Sequence, residues 1–300
     1  MIGDVVSHVP CRGPKSYPSH MLERSTARRP VAIATHTIAL AALVLAACAP
    51  PPAPAPAPSA SPSRAPATES PAKAAAAATP SAPPPGAYGE CEPTPDGIGR
   101  TYFGREIAHF MSHAGIPWLE RDSRESEERT SALLDALELR PGMCVADIGA
   151  GSGRLTVPMA RRVAPGTAYG TDIQPEMLAF LEARARTEGL SNLKGILGDT
   201  QDVHLPESGL DLVLLVDAYH EFDHPWEMTR SILRALRPGG RVALVEFRAE
   251  DPEVPIKGLH KMTEAQCRRE FEAAGFRWVR TDAQLPWQHL VWFERPADGP

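Results

Sequence analysis

The segment VADIGAGSG, residues 145–153, dictates how the second half of this chain folds. Apolar residues end a strand, three glycines make a turn, and the chain then enters a helix. Close approach of a ligand to a backbone requires residues without a Cβ atom, and a helix N-terminus offers free N–H groups to a carboxylate or phosphate. The segment therefore predicts a nucleotide-type binding loop between a strand and a helix.

Dinucleotide-binding folds use a related loop, so the glycines alone do not define the cofactor. Two residues argue against a nicotinamide. Arg154 stands where the nicotinamide fingerprint has a third small residue, and Asp147 precedes the loop where an aliphatic residue is usual. A nicotinamide oxidoreductase remains an alternative that binding measurements distinguish.

Around this loop, short apolar runs alternate with amphipathic segments, which predicts an α/β fold. The expected architecture is a doubly wound, Rossmann-like, seven-stranded sheet, mostly parallel with an antiparallel edge hairpin, and helices on both faces. The predicted strands are 143–148, 168–172, 193–198, 210–216, 241–247, 276–281 and 288–293. The predicted helices are 153–163, 175–188, 225–236 and 263–274, with Pro175 in a first turn and Thr263 as an N-cap.

Four motifs in this order resemble the class I S-adenosylmethionine-dependent methyltransferases. The first is the acid, apolar residue and GxGxG of 147–153. The second is Asp172 at the end of the second strand, where the family's acid holds the ribose hydroxyls, and the third is Asp199 at the end of the third strand, where a carboxylate binds the adenine amino group. The fourth is 236–242, which matches the family's turn into the fifth strand. The resemblance implies S-adenosyl-L-methionine as cofactor, bound by Asp147, Gly149, Ala150, Gly151, Ser152, Gly153, Asp172, Ile173, Asp199, Thr200, Asp217 and Tyr102. Without the resemblance, Asp172 and Asp199 are also acceptable helix caps.

Ahead of the sheet, residues 102–113 and 126–137 have helical spacing. Helices before the first strand of such a sheet commonly lie over its carboxyl edge, where ligands bind. The run 102–108 resembles the lead-in of a bacterial methyltransferase subgroup, which implies that this segment caps the cofactor through Tyr102 or Arg105. Surface ion pairing is the alternative for Arg105.

The loop 217–224 follows the fourth predicted strand, whose carboxyl end faces the methyl group in the resembling family. His220 is the candidate general base, with Asp217 and Glu221 tuning its basicity, and a histidine held by loop hydrogen bonds is the alternative. The spacing of His220, Asp223 and His224 is nonspecific for a metal, and no metal site is predicted.

A proline-broken insert follows the fifth strand and reaches Met262 at the ligand edge of the sheet. It is expected to close over a small acceptor, with Arg248 or His260 contacting it, unless it is a polar surface loop. Trp287, Gln288 and His289 near the terminal hairpin are equally compatible with edge-strand packing.

The N-terminal third has a different character. Residues 1–47 are predicted to be a leader, with Met21 as an alternative start, three arginines and then an apolar run from Val31. The run closes on Leu45-Ala46-Ala47-Cys48, which resembles a bacterial lipoprotein signal and implies a lipidated Cys48. Residues 48–99 are predicted to be a disordered Pro/Ala-rich linker, and 100–296 the methyltransferase domain with cap helices in 100–138.

The formal net charge is -6, and no basic run or stripe appears. Nucleic acid is therefore excluded as an expected partner, which leaves an unidentified small-molecule substrate and, through Cys48, a membrane. The expected location is the cell envelope, anchored by lipid and facing the periplasm or exterior, or the cytoplasm if the signal is not used. Because S-adenosylmethionine is made in the cytosol, a non-catalytic nucleoside- or partner-binding lipoprotein with the same fold is the main functional alternative.

Overall fold

The computed structural model describes residues 82–297. Several sequence predictions concern residues outside this range: the leader, the alternative start at Met21, the lipidated Cys48 and the linker as far as residue 81.

A central sheet runs through this part in the order β6-β5-β4-β7-β8-β11-β10, and the short β9 pairs with β8. Neighbours from β6 to β8 are parallel, whereas β11 is antiparallel to both β8 and β10. This confirms the predicted doubly wound α/β fold with its terminal antiparallel hairpin. The strands are β4 (Val145–Ile148), β5 (Ala168–Asp172), β6 (Leu193–Leu197), β7 (Leu210–Val216), β8 (Leu236–Arg248), β9 (Lys261–Met262), β10 (Arg277–Asp282) and β11 (Gln288–Glu294).

Helices cover both faces because each presents an apolar stripe to the sheet. Leu133, Met159 and Leu181 pack on one face, and Ile232 and Phe271 on the other. The helices are α1 (Ile116–Leu119), α2 (Arg124–Glu128), α3 (Thr130–Ala136), α4 (Thr156–Val163), α5 (Pro175–Thr187), α6 (Pro225–Ala235) and α7 (Glu264–Ala273). Pro175 occupies the first turn of α5, and the Thr263 hydroxyl caps α7 by accepting from the Gln266 N–H.

The chain builds the sheet outward from β4 in one direction, through β5 and β6, and then returns to place β7 on the other side of β4. Such a reversal separates the loops that follow the two strands and opens a crevice at their carboxyl ends. The glycine loop after β4 and the loop after β7 therefore face each other across the position where ligands bind in this architecture.

Residues 88–108 form an antiparallel sheet of β1 (Tyr88–Glu90), β2 (Gly97–Tyr102) and β3 (Arg105–Ala108). The predictions of a linker to residue 99 and of a helix over 102–113 are therefore wrong. Phe103 and Gly104, with φ of 48° and 85°, make a two-residue turn between paired Tyr102 and Arg105. Positive φ at both turn positions matches the twist of a hairpin, and this turn prevents a helix.

The second predicted cap helix exists but is interrupted. Arg129 has a φ of 51° and separates α2 from α3, so the expected helix over 126–137 is two short helices. Within residues 82–297, no helix is both long and apolar enough to cross a membrane.

Candidate active site

A cavity of about 710 Å³ lies at the carboxyl edge of the sheet, at the reversal between β4 and β7. Cavities of several hundred Å³ accept small organic ligands. Its floor is made by the loops that follow β4, β5, β6 and β7, and its cover by part of the segment 109–128. The position and size of the cavity identify it as the candidate ligand site.

The glycine loop forms one wall of this cavity. The N–H groups of Gly149 and Ala150 both donate to the Thr171 carbonyl at 2.9 Å, which ties the loop to the end of β5. Gly149 and Gly151 have φ of 73° and 52°, and a Cβ on Gly151 would lie 2.9 Å from Leu119 Cδ1 of the cover. Glycine is thus required both by the backbone conformation and by the close packing of the cover.

Asp147 stands behind the loop rather than on the cavity. Its Oδ2 accepts a hydrogen bond of 2.6 Å from the Thr156 hydroxyl in the first turn of α4. The carboxyl group is buried, and burial raises its pKa to about 6. Asp147 therefore joins the end of β4 to α4 and fixes the loop between them.

Asp172 lines the cavity and is 8% exposed. Its Oδ2 accepts from the Gly151 N–H at 3.0 Å and its Oδ1 from the Gln174 N–H at 2.9 Å. Burial raises the pKa of this carboxyl group. A carboxylate has about four acceptor positions, so after these two bonds it can still accept from two ligand hydroxyls.

Asp199 and Thr200 also line the cavity, in the loop after β6, the strand next to β5. The Asp199 Oδ1 accepts from the N–H groups of Gln201 and Asp202, both at 2.7 Å, and these bonds lower its pKa. Its side chain is 56% exposed. Asp199 is thus a fixed, ionised carboxylate on the rim of the cavity.

Asp217 follows β7 with a φ of 49°, a strained conformation for a residue with a side chain. Its Oδ2 accepts from the Gln288 amide at 2.9 Å, and its buried Oδ1 has no partner among the described residues. Burial raises the pKa of Asp217 well above its usual range, and the charges of Glu128 and Glu246 add to that shift. The strained backbone places this carboxyl group at the cavity, where a ligand can satisfy the free oxygen.

His220 lies on the cavity in a short 3₁₀ helix, Tyr219–Glu221, and is 1% exposed. Its Nδ1 is 2.6 Å from Glu246 Oε2, and its Nε2 is 3.0 Å from His260 Nδ1. Glu221 Oε1 lies 3.8 Å from the same Nε2. Burial disfavours both charged forms, lowering the pKa of His220 to about 3 and raising that of Glu246 to about 8.

A buried ion pair supports this 3₁₀ helix from below. Arg105 donates from Nε and Nη2 to the two carboxylate oxygens of Glu270, each at 3.0 Å, and from Nη1 to the His220 carbonyl at 3.1 Å. Its charge is satisfied by Glu270, so the implied cofactor contact of Arg105 is wrong and its role is to position His220.

The cover is joined to both ends of the cavity. Gln174 donates to the Met111 carbonyl at 2.9 Å and accepts from the His113 N–H at 2.7 Å, while the Met111 N–H donates to Glu221 Oε2 at 3.1 Å. Trp118 adds an apolar lining. The cover therefore links the Asp172 side of the cavity to the Glu221 side.

The structure brings most of the predicted site residues to this one cavity, namely Gly149, Gly151, Asp172, Ile173, Asp199, Thr200, Asp217, His220 and Glu221. Five others do not line it. Asp147, Ala150 and Ser152 border a much smaller neighbouring pocket, and Gly153 packs on Leu181. Tyr102 is fully buried against Tyr88 and Phe103, so its predicted cofactor contact is wrong.

The insert after β8 contributes residues 255–257 and His260 to the cavity, as expected, and Phe247 near the end of β8 lies beside them. Arg248 does not reach it and instead donates to the carbonyls of Leu285 and Gln288. The strand bearing Gln288 and His289 lies inside the sheet between β8 and β10, not at its edge.

Glu246 was missed by sequence reasoning, although it binds His220 directly. The available signal was an acid inside the apolar run 242–247, where an unpaired carboxylate is unfavourable and a partner is implied. Gln288 offered the same signal at the start of an apolar strand. Gln174 gave no signal, because its role depends on where the cover lies.

Part of the chain is similar to a known class of protein domain. Residues 145–240 match the family model described as a methyltransferase domain, a segment that runs from β4 into β8 and contains the glycine loop, Asp172 and His220.

More particular likenesses come from single proteins. The chain is 35% identical over 113 residues to the nocamycin O-methyltransferase of Saccharothrix syringae, a match covering 37% of this chain and 40% of that protein. It is 32% identical over 116 residues to the ubiquinone/menaquinone biosynthesis C-methyltransferase UbiE of Idiomarina loihiensis, covering 38% of this chain and 46% of that protein. The chain thus spans less than half the length of these curated relatives.

Solved structures agree on the fold. A SAM dependent methyltransferase from Aquifex aeolicus has a TM-score of 0.58 and 22% identity, covering 62% of this chain and 99% of that one. A chain from the complex of the Haloferax volcanii Trm112 methyltransferase activator with a methyltransferase has a TM-score of 0.51 and 19% identity, covering 61% and 97%.

Proposed function

We propose that this chain is an S-adenosylmethionine-dependent methyltransferase with a small-molecule acceptor. The observation that carries the proposal is Asp172: a buried carboxylate, held by two backbone N–H groups beside a glycine loop, with acceptor positions directed at the cavity. The match of residues 145–240 to a methyltransferase domain supports the same assignment.

The residues at the cavity fit this cofactor. Side chains are excluded at Gly149 and Gly151, which leaves backbone against which a nucleoside can lie. Asp172 would accept from the ribose hydroxyls, and Asp199 at the rim would accept from the adenine amino group. In this arrangement the sulfonium end of the cofactor would lie toward Asp217 and His220, which line the cavity beyond the glycine loop.

When bound, S-adenosylmethionine supplies an activated methyl group, whose carbon bonds to the acceptor's lone pair as the C–S bond breaks and leaves its electrons on sulfur. The chain's own contribution is to align the two reactants and exclude water. Trp118 and Leu119 of the cover provide the exclusion, and the bonds from Gln174 and Glu221 hold the cover in place.

An acceptor at the inner end of the cavity meets His220, Glu221 and His260. These side chains form a polar patch that can bind a hydroxyl or amine and accept its proton. The two relatives named above transfer methyl to oxygen and to carbon respectively, so the acceptor atom of this chain has to be found by screening.

We further propose that the protein is a lipoprotein of the cell envelope, attached to the membrane through Cys48. The support is the sequence pattern alone, with arginines at 24, 28 and 29, an apolar run and small residues before the cysteine. The lipid would be the attachment, since a formal net charge of -6 disfavours attraction to anionic lipids.

Calorimetric titration of the purified chain with S-adenosylhomocysteine and, separately, with NAD tests the cofactor. Binding of S-adenosylhomocysteine in preference to NAD is expected, followed by methyl transfer from labelled S-adenosylmethionine to members of a metabolite panel. Preferential binding of NAD would contradict the proposal, and cofactor binding without transfer to any acceptor would favour a non-catalytic protein.

A further inference from the structure

Three potential ligand atoms converge at the inner end of the cavity, which is the acceptor side under the proposed function. They are His220 Nε2, His260 Nδ1 and Glu221 Oε1, separated by 3.0, 3.8 and 3.6 Å. The centre of this triangle is about 2.0 Å from each atom, which matches the usual length of Zn–N and Zn–O bonds. An ion placed slightly out of the plane would keep its remaining positions open toward the cavity.

The carboxylate that holds His220 from outside the cluster is also typical of a metal site. Metal-binding histidines usually donate their other ring N–H to a carboxylate, which fixes the ring and its tautomer. His220 Nδ1 faces Glu246 at 2.6 Å, and the Glu246 carboxylate is itself held by the Tyr219 N–H at 3.1 Å. With Nδ1 donating, the Nε2 of His220 keeps its lone pair, which is directed toward His260 Nδ1 at 3.0 Å.

Charge in this region also favours a cation. Glu221 and Glu246 both approach His220, while the nearby Arg105 is already paired with Glu270 in a two-oxygen ion pair. A divalent ion between the two imidazoles would compensate the charge of the Glu221 carboxylate, which lies 3.8 and 3.6 Å from the two ring nitrogens. A direct hydrogen bond between the imidazoles explains their 3.0 Å separation, while Glu221 accepts from the Met111 N–H through Oε2 and keeps Oε1 near both ring nitrogens.

We infer that His220, His260 and Glu221 form a binding site for one divalent transition-metal ion, with Glu246 as the outer partner of His220. Two histidines and one carboxylate with open positions are the ligand set of catalytic zinc sites and of other open first-row metal sites. This inference deepens the proposed function, because it specifies an acceptor that carries a metal-binding oxygen, such as a hydroxyl group.

A metal here changes how the acceptor is prepared. A hydroxyl held in an open position of such an ion would lose its proton to bulk solvent more readily as the acceptor binds, because the cation would stabilise the oxyanion. The oxygen would then be a stronger nucleophile toward the methyl group. Under this arrangement His220 holds the ion and does not have to act as the base.

The site was not predicted from sequence, which considered His220 with Asp223 and His224. His224 instead faces Arg100, with its Nε2 3.5 Å from Nη1, and the third ligand comes from His260, 40 residues along the chain. The insert after β8 brings it there.

The test uses the full chain, stripped with a chelator and then titrated with Zn²⁺ by calorimetry and with Co²⁺ by visible absorption. Glu221→Gln and His260→Ala are expected to lose one metal equivalent relative to wild type. Glu246→Gln should weaken binding by about 10–100-fold, the usual effect of removing an outer partner. His113→Ala is the matched control, because the His113 imidazole contacts only the exposed Glu176 and does not line the cavity, and the variant keeps the backbone N–H that donates to Gln174.

Each variant is also titrated with S-adenosylhomocysteine, which separates the two proposals and reports an intact fold. The metal site would be overturned if Glu221→Gln and His260→Ala bind the metal as tightly as wild type, or if wild type binds no more metal than these variants do. The cofactor proposal would stand in either case. If wild type binds the metal but does not bind S-adenosylhomocysteine, the metal site would be supported and the methyltransferase assignment contradicted.

Discussion

Asp172 shows how one side chain can serve both the fold and the ligand. Its two oxygens accept from Gly151 and Gln174, so they hold the glycine loop and the start of the α5 turn together. The same carboxylate lines the cavity, where the ribose of the proposed cofactor would lie. Loss of its charge should therefore affect cofactor binding more than stability.

We expect Asp172→Asn to weaken S-adenosylhomocysteine binding by roughly 1.5–3 kcal/mol, the range for a hydrogen bond to a charged group. The amide retains one acceptor oxygen for the loop, so the variant should remain folded. Calorimetry measures the affinity, and Asp135→Asn, a surface carboxylate paired with Arg162, is the control. Equal affinity in a folded Asp172→Asn protein would exclude Asp172 from the ligand site.

The residues of the site differ in how far sequence could reveal them. Asp172 and His220 follow strands, and strand ends in a parallel sheet converge on one edge, so their positions were predictable. The partnership of His220 with Glu246 and His260 depends on the register of β8 and on the path of a proline-broken insert. Neither is encoded in a local pattern, and sequence reasoning missed both partners.

At the scale of single elements, the turn from β4 into α4 depends on close packing against α5. Gly153 has a φ of 76°, and a Cβ there would meet Leu181 Cδ1. Leu181 cannot easily turn away, because its Cδ2 methyl already lies against Gly170. A side chain at position 153 is therefore opposed by both backbone conformation and packing.

Gly153→Ala is expected to lower the free energy of unfolding by about 1–2 kcal/mol for the left-handed backbone and about 1–3 kcal/mol more for overpacking. Gly142→Ala isolates the first contribution, since Gly142 has a φ of 89° with open space around it. Urea denaturation of the two variants gives both values. Equal destabilisation would show that Leu181 moves freely and that packing at this turn does not matter.

The elements from β4 onward were predicted closely, whereas those before it were not. Strands buried on both faces, such as β7 with Leu212 and Leu214, are marked by apolar runs, here residues 212–216, that are bounded by polar residues. The β1–β3 sheet contains few apolar residues, and Gly97, Gly99 and Gly104 occur in or beside it. Its stability comes from packing Tyr102 and Ile107 on the rest of the core, which no local pattern shows.

The stability of the whole domain should depend on pH through Asp147. Burial raises the pKa of this carboxyl group from 3.8 to about 6, so the native state binds the proton more tightly than the unfolded chain. The free energy of unfolding therefore falls as the pH rises from about 4 to about 6, by on the order of 3 kcal/mol from this group.

Asp147→Asn removes this titration while keeping an oxygen for the Thr156 hydroxyl. The difference in the free energy of unfolding, wild type minus variant, should decline between about pH 4 and pH 6 and then level off. Denaturant unfolding at four pH values between 4.5 and 7.5 measures it. A difference that is constant across this range would show that Asp147 titrates normally in the folded protein.

Attachment of the whole protein to a membrane is the prediction that rests on residues outside the described part. If Cys48 is the lipidated N-terminus, mass spectrometry of the membrane fraction from expressing bacteria should find a mature chain that begins at Cys48 and carries a diacylglycerol on its sulfur. Cys48→Ser removes the thiol that accepts the lipid, so the modified chain should disappear and the leader should remain uncleaved. Cys91→Ser is the matched control, because Cys91 is an exposed free thiol in the described domain and should leave processing unchanged. A soluble wild-type product that retains residues 21–47 would contradict the lipid anchor, without altering the assignment of the cofactor site.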